Sequence, residues 1–229
     1  MHRIFRFAFR ALPVAAVCTV SFIGSARAQV PLLSNFDTPS DTSAGSNIGP
    51  ADRKSVAFTV GSTALSITSV NASLALYLVN SGSSVASAAI YSTNGTDAPV
   101  TFVGSLGTQT VTAAQGVVTT YTFSSAAPIT LAANTRYSLL LDYVSGNQYF
   151  WYRTNTNVLP TARNGSGITN PVYTFNNANG GYDLSGTYNR FQLNGALVAA
   201  APEPTSIALA AFALPACIGM SRRRRTATR

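Results

Sequence analysis

Apolar and polar positions alternate with a period of two along several stretches of this chain. In Ser73-Leu74-Ala75-Leu76-Tyr77-Leu78 the leucines fall on one side, and Tyr121-Thr122-Phe123 repeats the pattern. Runs rich in Val, Ile, Thr, Tyr and Phe recur at Ser55 to Val60, Leu65 to Val79, Ala88 to Ser92, Val100 to Leu106, Val117 to Phe123, Arg136 to Val144, Gln148 to Arg153 and Arg190 to Val198. Turn formers separate them, among them Asn80-Ser81-Gly82, Asn94-Gly95, Gly146-Asn147, Asn164-Gly165 and Asn179-Gly180-Gly181. Many short strands with regular punctuation predict an all-β fold for residues 29–201, a sandwich or barrel in one domain. Leu139-Leu140-Leu141 is apolar at three successive positions, which predicts a central strand covered on both faces. The stretches Asn35 to Lys54 and Asn155 to Asn189 are rich in Ser, Thr, Asn, Gly and Pro. They read as a long loop or loosely packed arm and as a cover over one edge or end of the sandwich.

The two ends follow a different pattern. Arg3, Arg6 and Arg10 precede an apolar run from Ala11 to Ile23, and Ala26-Arg27-Ala28 satisfies the small-x-small rule of signal peptidase. Residues 1–28 are therefore expected to be a signal peptide, with the mature chain starting at Gln29. At the other end, Pro202-Glu203-Pro204 is followed by an apolar run from Thr205 to Met220 and then by Arg222-Arg223-Arg224-Arg225. That run lies at the lower limit of the roughly 17 to 25 residues needed to span hydrocarbon. The arginines would hold its end in the cytoplasm and put the body on the far side of the inner membrane.

Charge and cysteine follow these divisions. The whole chain carries +8. Four arginines lie in residues 1–28 and five in the tail, while the body sets Arg53, Lys54, Arg136, Arg153, Arg163 and Arg190 against Asp37, Asp41, Asp52, Asp97, Asp142 and Asp183. A neutral body has no electrostatic footprint for nucleic acid, so no nucleic-acid partner is expected. Cys18 and Cys217 both fall in the terminal apolar runs, leaving about 170 residues to fold by core burial without a disulfide framework.

The tripartite C-terminus, residues 202–229, resembles the PEP-CTERM sorting signal of Gram-negative bacteria that make exopolysaccharide. The resemblance implies that Pro202, Glu203 and Pro204 are read by a membrane-embedded exosortase-type enzyme, after transient insertion in the inner membrane, for release or attachment at the surface. The body has its own likeness. Leu33-Ser34-Asn35-Phe36, Val56-Ala57-Phe58-Thr59-Val60-Gly61 and Leu131-Ala132-Ala133-Asn134-Thr135-Arg136-Tyr137 leading to Trp151 resemble the choice-of-anchor domains of bacterial surface proteins. Ser138 stands where that pattern leads one to expect an aromatic. What this second likeness implies is a β-sandwich without an assigned activity, so the expected fold is all-β, a single antiparallel β-sandwich of jelly-roll-like form over residues 29–201.

Body chemistry is limited by residue type, since His2 and Glu203 lie in the end segments and the body holds no His, Cys or Glu. Histidine triads, thiol nucleophiles and the usual zinc sites are excluded there. Asp41-Thr42-Ser43 resembles the active loop of aspartic proteases, but those enzymes need two such loops and this chain has one. Asp142 with Asp183 would supply the two carboxylates of a glycoside hydrolase only if the fold brought them together. Asp37, Asp41 and Asp52 offer hard oxygen ligands for calcium, although their spacing matches no calcium loop; no other cofactor is indicated. Tyr149-Phe150-Trp151-Tyr152 is the candidate carbohydrate contact, with Tyr149 and Trp151 on one strand face, Phe150 and Tyr152 on the other, and Arg153 nearby. The competing reading makes Trp151 the core anchor and places the second pair beneath the Asn155 to Asn189 stretch. Together these features point to a non-catalytic exported cell-surface or matrix protein associated with exopolysaccharide or biofilm. A carbohydrate-binding or adhesive module around Trp151 and an Asp-dependent hydrolase are the alternatives.

Overall fold

The computed structural model describes residues 29–77, 82–93, 95–176 and 181–198. The signal peptide with Ala26 and Ala28, the Pro202-Glu203-Pro204 motif, its membrane segment and arginines, and the greater part of the Asn80, Asn94 and Asn179 turns lie outside these residues. Among the described residues the regular structure is entirely β, in two antiparallel sheets packed as a sandwich.

One sheet contains β1 (Val30–Ser34), β2 (Ser40–Ile48), β4 (Leu65–Leu76), β7 (Thr119–Leu131), β9 (Tyr149–Thr154), β10 (Thr161–Ala162) and β13 (Phe191–Leu197). The other, in spatial order, contains β12 (Tyr182–Leu184), β11 (Thr169–Asn176), β3 (Lys54–Thr59), β8 (Arg136–Gly146), β5 (Ser84–Ser92) and β6 (Thr101–Val111). Strand β4 organises the first sheet. Ala72 pairs with both Phe191 and Tyr121, and Leu74 pairs with both Trp151 and Thr119. One edge of β4 therefore takes β7, while the other takes β13 and then β9, end to end.

Alternation decides what is inside. Val56 and Phe58 of β3, Leu139 and Leu141 of β8, and Ala86, Ala88 and Ile90 of β5 face the seven-stranded sheet and join one core cluster. In β4 the phase changes from Leu65 and Ile67 to Val70, Ala72, Leu74 and Leu76, because the step from Ile67 to Ser69 opposes the single step from Gly195 to Asn194 of β13 and so holds an extra residue. Leu140, on the outer face of β8 between β3 and β5, is buried as well, so the triple leucine is a central strand covered on both sides.

Both stretches expected to be irregular contain strands. Ser40–Ile48 forms β2, an edge strand paired to β9, and its small polar residues suit a half-exposed edge better than their propensities suggest. Gly45 is required there, since a Cβ would lie 2.5 Å from the carbonyl oxygen of Trp151. The Asn155 to Asn189 stretch contributes β10, β11 and β12, and the last two extend the β3 edge of the second sheet. Its alternation is hidden by a register shift between Thr169 and Val172, where Asn170 has φ of 51° and Pro171 follows. The Leu131 to Tyr137 segment is the β7–β8 turn. Asn134 holds φ of 53° at its apex, and the Tyr137 hydroxyl accepts the Ala132 amide at 3.0 Å.

Candidate functional site

Four of the six body aspartates each hold an arginine: Asp37 pairs with Arg163, Asp41 with Arg153, Asp97 with Arg136 and Asp142 with Arg53. Two of the three calcium candidates are consequently committed to arginines. Asp37 and Asp41 face different arginines, Asp52 sits in a backbone bridge with Gly49, and no group of three His, Cys, Asp or Glu forms among the described residues. Asp41 receives the Ser43 hydroxyl at 2.6 Å and the Ser43 amide at 2.9 Å on one oxygen, and Arg153 on the other. These contacts, Ser43 first, lower its pKa from 3.8 to about 2. Such a carboxylate stays ionised near neutrality and suits an ion pair rather than proton transfer.

Asp142 and Asp183 are separated by the sheet. Asp183 pairs with Phe175, Phe175 with Lys54 and Lys54 with Leu141, a row on the face opposite to Asp142. Three strand spacings amount to roughly 14 Å, beyond the approximately 5–9.5 Å that glycoside hydrolysis uses. The pairing expected of a hydrolase is not made.

The aromatic run lies inside. Tyr149 and Trp151 have no exposed surface, and Tyr152 is 1% exposed. Trp151 meets Tyr173 and Phe191 at ring-centroid distances of 6.3 and 6.1 Å, joining the two sheets, and its Nε1 donates to the Arg190 carbonyl at 3.0 Å. Tyr152, on the opposite face, accepts the Gly116 amide at 3.0 Å, which puts the β6–β7 connection over it where the Asn155 to Asn189 stretch was expected. Phe150 is half-buried against Tyr77 and Tyr152. Arg153 is held by Asp41. Thus Tyr149, Trp151 and Tyr152 form no open stacking platform, which corrects the aromatic surface expected from the sequence.

A different site emerges at the start of β3. Lys54, the only lysine in the chain, faces the interior at 3% exposure and lines a cavity of about 250 Å³ with Ser46, Asn47, Asp52, Arg53, Phe175, Asn176, Ser185 and Thr187. Its Nζ donates to Ser185 Oγ at 2.6 Å and lies 5.7 Å from the centre of the Tyr173 ring. Burial lowers its pKa from 10.5 to about 7. No carboxylate pairs with it among the described residues. Sequence reading counted Lys54 only as a charge and as the end of a loop. The available signal was a lone lysine directly preceding the apolar run Ser55 to Val60.

Compared with known proteins, the chain matches no family model and no curated protein.

Proposed function

We propose that this chain is a non-catalytic exported protein: a jelly-roll-like sandwich delivered to the cell surface or extracellular matrix and retained with exopolysaccharide. The observation that carries this reading is the division of the sequence into two terminal address segments and a charge-balanced body. An N-terminal leader and a Pro-Glu-Pro, apolar, arginine-rich tail are features of a protein moved across a membrane and then processed by another enzyme. The arrangement of the aspartates supports the non-catalytic part. Most are held by arginines, and the pair considered for hydrolysis lies on opposite faces of a sheet.

The test is expression of the full chain in an exosortase-competent host, followed by fractionation and intact-mass measurement. The expected product starts at Gln29, lacks the segment after Pro202 and partitions with the surface or polysaccharide fraction. A body found only in the cytoplasm would rule the proposal out. An uncleaved product kept in the inner membrane would replace matrix delivery with permanent anchoring.

A further inference from the structure

The unused hydrogen-bonding capacity of the Lys54 cavity is specific in kind. Four of the body's arginines hold carboxylates, and Arg190 is bonded to the carbonyls of Phe36 and Thr38 and to the hydroxyls of Ser40 and Ser73. Lys54 alone is a buried basic group with one side-chain hydrogen bond, to Ser185, among the described residues. Ser185 Oγ already accepts from Lys54 and from the Thr187 amide, so its own proton remains to be given. Asn47 lines the cavity from β2, but it pairs with Phe150, so its side chain lies with Gln148 on the outer face of the seven-stranded sheet, away from the amine. Asn176 accepts the Arg53 amide and donates to the Ala51 carbonyl. The unspent groups at the amine are two N–H bonds of Lys54 and one hydroxyl proton of Ser185, all of them donors.

We propose that this cavity binds a small carboxylate, of the kind a sugar acid presents, with the carboxylate on Lys54 and Ser185. Buried polar groups left unpaired are costly, and a charge-assisted bond to an ammonium is among the stronger ways to satisfy them. A phosphate would meet the same donors but would bring more charge and more acceptor oxygens than one ammonium and one hydroxyl satisfy. A neutral sugar would leave the amine without an anion. The cavity falls below the roughly 300–1,000 Å³ of drug-sized sites, which limits the occupant to about one ring.

The charges around the amine permit an anion. Asp52 and Arg53 line the cavity with opposite signs, Arg53 being held by Asp142 of β8. Strand β11 presents Tyr173, β12 carries Asp183 two strands away on the same face as Lys54 and Tyr182 on the other face, and β2 contributes the uncharged Ser46 at this end. The pKa of about 7 gives the site a direction with pH, since an arriving carboxylate favours the protonated amine and binding tightens as pH falls. The site itself stands apart from the matrix reading. Only the source of the ligand, a free sugar acid or a unit of an acidic polysaccharide, rests on that reading.

The chain's single lysine makes the test direct, because full-length protein labelled with ¹⁵N at lysine Nζ and purified in detergent reports Lys54 alone. Sodium galacturonate should raise the Lys54 titration midpoint by at least about one unit and bind at least about tenfold more tightly at pH 6 than at pH 8.5. Galactose should leave the resonance in place, and inorganic phosphate should bind more weakly than galacturonate. Lys54→Met should lose galacturonate binding. Should that variant fail to fold, Ser185→Ala, which keeps the amine, should weaken binding at least about fivefold. Binding of oligogalacturonate without the monomer would assign the site to a polymer, and equal binding of both would assign it to the free acid. The proposal is overturned if neither acid moves the lysine resonance, or if galactose or phosphate does so as strongly. Its failure leaves the fractionation test untouched, and a cytoplasmic full chain would leave binding by the purified protein untouched.

Discussion

Around Trp151 and around Lys54 the sandwich treats buried polar groups in opposite ways, although the two regions share Tyr173. Near Trp151 the polar groups are saturated. Asn35 gives its amide nitrogen to the carbonyls of Val158 and Asn189 and accepts the Phe191 amide at 2.9 Å, and the Tyr173 hydroxyl donates to the Asn189 carbonyl at 2.6 Å. Asn189 in turn donates to the Trp151 carbonyl and accepts the Ser46 hydroxyl. Near Lys54 a buried amine has one side-chain partner among the described residues. A fully bonded network fixes one arrangement of strands, whereas an incompletely bonded one reduces stability unless something else occupies it. The first region therefore explains how the sandwich is held, and the second is where a ligand would be felt.

The contrast predicts its largest effect at Trp151. Replacing it with alanine removes the ring that meets both Tyr173 and Phe191 and leaves a cavity between the sheets, with an expected loss of about 3–5 kcal/mol. Urea unfolding followed by tyrosine fluorescence would measure it. A loss below about 1 kcal/mol would mean that the saturated region is not the anchor described here.

The next effect belongs to Lys54 and has the opposite sign with pH from that of an acidic pair. The folded amine releases its proton near pH 7, while the unfolded chain keeps it to about 10.5, so between these values the unfolded state binds more protons. Below pH 7 both states are charged and the burial penalty is fully present; as pH rises toward 10.5 it disappears. Unfolding free energy should therefore rise by roughly 3 kcal/mol from pH 7 to 9.5. Buried Tyr149 and Tyr173, whose pKa values burial pushes up, remain protonated across this range. Lys54→Met should be more stable than the parent at pH 7 and nearly flat with pH. A parent profile already flat would place the amine in water and remove the contrast.

How far the sequence revealed these regions depended on whether the relevant signal was local. The period of two placed Leu74, Phe123 and the triple leucine correctly, because each strand's burial is written in its own residues. The alternation of Tyr149 and Trp151 with Phe150 and Tyr152 was equally legible. Which faces would be covered was not, since the Gly116 contact to Tyr152 comes from another connection. Strands β2 and β11 were hidden for a related reason. Polar edge residues and the Asn170-Pro171 irregularity look like loop, and only the ladders to β9 and β3 make them strands. Lys54 was the hardest to read, because a lysine before an apolar run is ordinarily solvated, and its burial depends on β11 and Ser185, more than a hundred residues away.

Asp41 supplies the smallest effect and tests whether saturation alone, without burial in the core, confers stability. Its carboxylate is as fully engaged as the Trp151 region, with Ser43 on one oxygen and Arg153 on the other, but Arg153 is partly exposed and Ser43 is open to solvent. Ion pairs that retain access to water contribute about 0–1 kcal/mol, so Asp41→Asn should cost no more than that at pH 7. Because the folded pKa is depressed to about 2 from 3.8, the contribution is present above about pH 4 and lost as pH falls through 2. Parent and variant unfolding curves should thus differ slightly at pH 7, approach each other at pH 3 and coincide near pH 2. A difference above about 2 kcal/mol at neutral pH would show that the Asp41–Arg153 pair works as part of the buried network, and that exposure does not divide the two kinds of site as argued here.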